Sequence, residues 1–97
     1  MAEVMIHPAA EAEYAAALAW YAARGTRAAH RFASAFADAM DSLARNPELS
    51  PLCGDVHRRC QLRKLASGVV YRVGDDRILV VAVPHDRQLP RSWEQRN

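Results

Sequence analysis

Several absences narrow this 97-residue chain before any motif is read. It has two cysteines, Cys53 and Cys60, too few for the disulfide framework of a small secreted domain. Cys53, His57 and Cys60 are metal-type ligands at workable spacing, but no fourth is evident, so inert thiols are expected and no metal. No apolar run approaches the roughly 18–20 residues that span a bilayer, and Met1 to Ala10 holds no signal-peptide core. The expected location is therefore the cytoplasm, with no membrane contact. Glycine-rich phosphate loops and nucleophile elbows are missing too, which argues against nucleotide-binding and hydrolase readings and leaves no cofactor implied. Lysine is nearly absent, with Lys64 alone, and no tyrosine follows Tyr71.

The positive charge is arginine, and it is unevenly placed. Residues 1–50 carry four Arg against six acids, a net of −2. Residues 51–97 carry nine Lys and Arg against five acids, a net of +4. Arginine presents a planar fork suited to carboxylates, phosphates and interface contacts. A basic second half thus points to an acidic partner, either nucleic acid or protein. Length and composition fit one domain over residues 1–97, with a modest core that a partner would reinforce.

Periodicity then sets the elements. Glu3-Val4-Met5-Ile6 reads as a first strand ended by His7-Pro8, with His7 a strand–helix junction residue. Pro8 suits the first position of a helix that runs from Ala9 to Arg24, with Tyr14, Leu18 and Tyr21 on one stripe. Trp20 is expected to extend that core. Gly25 is a natural stop, Thr26 a candidate cap, and Phe32, Phe36, Met40 and Leu43 stripe a second helix closed by Asn46-Pro47. His30 falls within that helix and reads as structural. After a turn-rich loop, residues 56–62 alternate as a strand with a mixed face. Val69–Val73 and Ile78–Val83 form a hairpin about Gly74-Asp75, with Tyr71 directed to the core. The last run is apolar on both faces, so it is expected inside the sheet. The order β-α-α-β-β-β gives an α+β fold, a helical hairpin packed on a small antiparallel sheet.

The final third draws most attention, because the last strand ends at Pro84 and releases His85, Arg87, Arg91, Trp93 and Arg96. Arg and Trp are favoured interface anchors. His85 can titrate near neutrality or simply close the strand end.

Taken together, these residues resemble the RelE/ParE superfamily of toxins, and most closely its ParE or plasmid-stabilisation branch. The resemblance rests on His7-Pro8-Ala9-Ala10-Glu11, Trp20-Tyr21, Ala29 with Phe32, Asn46-Pro47, Arg58-Arg59 and Leu62-Arg63-Lys64-Leu65. It continues through Gly68-Val69-Val70-Tyr71-Arg72-Val73, Ala82-Val83-Pro84-His85-Asp86-Arg87, Pro90 and Trp93, so it spans roughly residues 4–96. Two aromatic positions common in this branch differ, with Leu65-Ala66-Ser67 before the third strand and Ser92 before the tail tryptophan.

The resemblance implies one of two activities. ParE-like members inhibit DNA gyrase by binding and are neutralised by a cognate antitoxin, with which they form a hetero-oligomer. That reading implies a target surface of Arg59, Arg63, Lys64, Arg72, His85, Arg87, Arg91 and Trp93 and no catalytic residue. RelE-like members cut mRNA on the ribosome, for which His85 with Arg63, Arg72 and Arg87 would supply proton transfer and phosphorane stabilisation. RelE-type sites are built from Lys, Arg and a late Tyr. The single lysine and missing late tyrosine therefore favour the binding reading. The antitoxin is expected on the alanine-rich groove between the helices and the sheet edge beside it.

Overall fold

The computed structural model describes residues 2–86 and 93–97 of the chain. Six elements follow in order: β1 (Glu3–Ile6), α1 (Pro8–Ala22), α2 (Thr26–Arg45), β2 (His57–Gln61), β3 (Gly68–Val73) and β4 (Arg77–Ala82). They form one four-stranded sheet in the order β1-β4-β3-β2. The expected antiparallel ladder holds for β2, β3 and β4, and β1 joins β4 in parallel. The parallel step follows from connectivity. Two helices separate β1 from the rest, long enough to return the chain to the same end before β2 starts. With β1 on one side and β3 on the other, β4 is an inner strand, which its six-residue apolar run requires.

Each helix is fixed locally. His7 is extended and its Nδ1 accepts the Ala9 N–H at 3.0 Å, capping α1, while Pro8 occupies the first turn at no hydrogen-bond cost. The cap of α2 is Gly25 rather than Thr26, which lies inside the helix and makes no side-chain cap. Gly25 has φ +138°, a conformation essentially confined to glycine, and it turns the chain between the helices. Tyr21 stacks on Phe32 with centroids 4.9 Å apart, and Tyr14 sits 5.3 Å from Phe32 and 4.5 Å from Phe36. The expected stripes thus meet as an aromatic seam. Trp20 does not join it: Tyr21 takes the inward position, and Trp20, one residue earlier, stays 44% exposed.

The helices cover one sheet face. Val69, Tyr71, Ile78, Val80 and Val83 pack there with Phe32, Leu43 and Leu62. Tyr71 is fully buried as expected, and its hydroxyl donates to the Pro47 carbonyl at 2.7 Å. The opposite face carries a second, smaller cluster of Val70, Val81, Ala82 and Trp93. Val81 and Ala82 are consecutive yet share a face. The β3–β4 register explains this, since Val70 pairs with Ala82 and Tyr71 with Val80, leaving Val81 as the extra residue of a β-bulge.

Candidate functional site

The bulge decides where the expected site residues fall. Up to Val80, alternate residues of β4 face the helices in step with Tyr71 on β3. Past the bulge the alternation resumes one residue out of step, so Val83 faces the helices. His85 follows Val83 onto that side. Its ring lies 5.9 Å from that of Trp20, and the two line a groove of about 520 Å³ with Glu13, Tyr21, Ser67 and Val83. The chain does not simply end its pairing at Pro84: Gly68 donates to the Pro84 carbonyl and Asp86 to that of Ala66. That pairing, with a bridge between Ser67 and His85, carries the ladder past β4.

Arg72 and Arg59 lie on the other face. Arg59 pairs across the sheet with Val70, and Arg72 with His57, both in the alternation of the Trp93 cluster. Asp86, one residue beyond His85, also falls on this side and takes a 2.7 Å ion pair from Arg59. Gln61 donates to both oxygens of that carboxylate, so the Arg59 charge is already partnered. The guanidinium lies across Gly68, where an added Cβ would meet its nitrogens at 2.9 Å and push the side-chain tip aside. Arg72 sits four residues along β3 from Gly68, about 13 Å at the usual strand rise. It lines a hollow at the hairpin end with Met5, Gly74 and Arg77.

Arg63 and Lys64 occupy a third place. Both are exposed in the turn between β2 and β3, where Lys64 adopts φ 62°, the left-handed region. They border a groove of about 500 Å³ beside α2, with Arg31, Asp38 and Ser42 across from them. Arg87 and Arg91 lie outside the described residues.

Trp93 departs most from its expected role as an exposed recognition residue. It is 6% exposed and plugs the sheet face opposite the helices. The face is apolar at Val70, Val81 and Ala82, and in a small domain an indole is the side chain large enough to cover all three. Arg96, expected in the same tail surface, is also engaged: it donates to the Val81 carbonyl at 2.8 Å and pairs with Glu13 at 2.8 Å. Glu13 in turn accepts the Val83 N–H at 2.9 Å. The ion pair therefore seals β4 where it runs beyond β1, whose register stops at Val80. Sequence reasoning missed Glu13, one of two acids, with Glu11, among the alanines of α1.

His57 was read only as part of a weak cysteine–histidine set. Cys60 packs with the helix-side cluster and Cys53 with the Trp93 cluster, so the sheet separates the two thiols. Among the described residues no group of three His, Cys, Asp or Glu side chains is placed to hold a metal. His57 instead meets Trp93 edge-on at 4.7 Å. Burial first, then the nearby Arg72 charge, pushes its pKa below the ordinary 6.5, against a smaller opposing effect of Glu94.

This geometry defines a small helix-on-sheet protein whose described polar groups are spread over separate surfaces rather than gathered in one cleft. The family of ParE toxins of type II toxin–antitoxin systems, parDE, matches residues 4–90, and the chain belongs to it. A solved structure described as the chromosomal ParDE TA system from P. aeruginosa has the same fold, with a TM-score of 0.63 at 14% identity. The alignment covers 88% of this chain and 96% of that one. A comparison with curated proteins finds no match. Among the described residues, no helix is long and apolar enough to cross a membrane.

Proposed function

We propose that this ParE-family toxin acts as one unit in the cytoplasm, inhibits DNA gyrase by binding, and is neutralised by a cognate antitoxin in a hetero-oligomer. The observation that carries the reading is the bulge at Val81–Ala82, which sets His85 and Arg72 on opposite faces of the sheet. Ribonucleolytic transesterification needs its acid, base and cations within hydrogen-bond reach of one phosphate. His85, Arg72 and Arg63 sit in three places, an arrangement suited to contact with a protein surface rather than to turnover. Arg63 and Lys64 are exposed and adjacent, and they are the leading target contacts. His85, Arg59 and Arg72 follow as supporting ones, and Arg87 and Arg91 stay in the proposal on sequence alone.

The antitoxin docks on α1. Its outer side is Ala12, Ala15, Ala16, Ala19 and the half-exposed Trp20. Past Glu13 this helix is apolar on every side, and an apolar helix face is ordinarily covered. Arg24 lies 3.2 Å over the Trp20 ring, holding the indole against the helix end.

Purified toxin is to be tested for inhibition of gyrase supercoiling beside cleavage of ribosome-bound mRNA. The charge-reversed pair Arg63→Glu with Lys64→Glu is expected to weaken supercoiling inhibition at least about tenfold, the scale of losing an interface anchor. Antitoxin binding by that variant should stay within about twofold. Intact supercoiling together with mRNA cleavage that His85→Ala abolishes would overturn the proposal.

A further inference from the structure

The C-terminal residues are held to the sheet by two contacts of unlike chemistry. One is Arg96, which donates to the Val81 carbonyl at the β4 edge and pairs with Glu13 of α1. The other is Trp93, whose burial leaves His57 beneath it only 5% exposed, with Nε2 buried and without a hydrogen-bond partner. Neutral imidazole tolerates that position at the cost of one unmade hydrogen bond. An imidazolium does not, since its Nε2–H would be a buried charged donor with no acceptor.

We propose that residues 93–97 form a strap that leaves the sheet when His57 takes up a proton. The groups around His57 set the direction. Arg72, its cross-strand partner on β3, repels an imidazolium. Asp55, from the preceding loop, and Glu94, on the strap itself, line a cavity of about 220 Å³ beside His57 and would attract one. Cys53 faces the same cluster from the loop, and its backbone N–H donates to the His57 carbonyl at 2.9 Å. While the indole is seated, burial together with Arg72 outweighs the attraction of Glu94. Moving the indole aside admits water and relieves the conflict, so protonation and release favour each other. Release also bares Val70, Val81, Ala82 and the bulge carbonyl of Val81, an apolar strip with one unpaired acceptor.

The test uses the full chain with Trp20→Phe, which leaves Trp93 as the only indole. Its emission is expected to be blue-shifted at pH 8 and to move red in a one-proton transition below pH 6.5, with far-UV circular dichroism unchanged. Adding His57→Phe should abolish that transition and hold the emission blue. Adding Glu13→Gln should make opening easier by up to about fivefold, as for a modest ion pair. If His57→Phe fails to fold, His57→Gln and direct NMR titration of the imidazole replace it, with Trp93 and His57 expected to titrate together. An indole that stays buried while NMR shows the His57 imidazole protonated, a transition that survives loss of His57, or a red shift that coincides with loss of secondary structure would each overturn the proposal.

Discussion

The two faces of the sheet are closed by very different means. The helix side is covered by 35 residues of helix and an aromatic seam running through Tyr14, Tyr21, Phe32 and Phe36. Within the described residues, the other side is closed by one indole over two valines and an alanine, pinned by one arginine. The first is redundant, because many contacts share the load. The second depends on a few side chains and is therefore adjustable at low energetic cost. A rigid face and an adjustable face have separable uses.

Substitutions can break or sharpen this contrast. Phe32→Ala should cost about 3–5 kcal/mol and lower the thermal midpoint of the whole chain, since it opens a cavity at the centre of the helix-side core. Trp93→Ala removes a side chain of larger volume, yet should cost less, about 2–3 kcal/mol, because water can enter beside it. Amide hydrogen exchange should rise around Val81 and Ala82 and stay slow in α2. Equal costs with global loss of protection would make the two faces one cooperative unit. Gly68→Ala should cost less than about 1 kcal/mol in chemical denaturation, because the new Cβ displaces only the tip of Arg59 and its partly exposed pair with Asp86. Arg59→Ala made together with it should recover part of that loss. Lys64→Gly should stabilise by about 1 kcal/mol by relieving a left-handed residue in the β2–β3 turn.

Acid should act on the Trp93 face alone. His57 has its pKa below 6.5 in the folded chain, so the unfolded chain binds more protons just below that value. Stability is complete above pH 6.5 and is lost as pH falls through the folded pKa. Replacing His57 by Phe should flatten this slope in denaturant titrations followed between pH 7.5 and 5.

Much of the fold was legible because periodicity reports burial. The stripes of α1 and α2, the two-faced apolar run of β4 and the inward Tyr71 all follow from side chains repeating at helix or strand spacing. The parallel placement of β1 was not legible, since four residues fix neither partner nor direction. The bulge was hidden for a different reason. Six consecutive apolar residues have no alternation to interrupt, so an extra one leaves no mark in the pattern. Trp93 was misread because a tryptophan beyond a proline, among arginines, looks alike as an exposed anchor or as a plug. What separates the two is whether a bare apolar patch waits nearby, and that patch exists only once Val81 and Ala82 share a side.

The same bulge has a consequence for how this chain can change over generations. Losing a single codon within Val80–Ala82 would restore strict alternation and rotate everything after it by half a turn. His85 would leave Trp20 and come to the side that holds Arg59, Arg72 and His57, while Asp86 would part from Arg59. One deletion, with no new residue, would carry an imidazole from the Trp20 groove to the face that holds the Arg59 guanidinium. Which partner meets His85 is thus set by one residue of register.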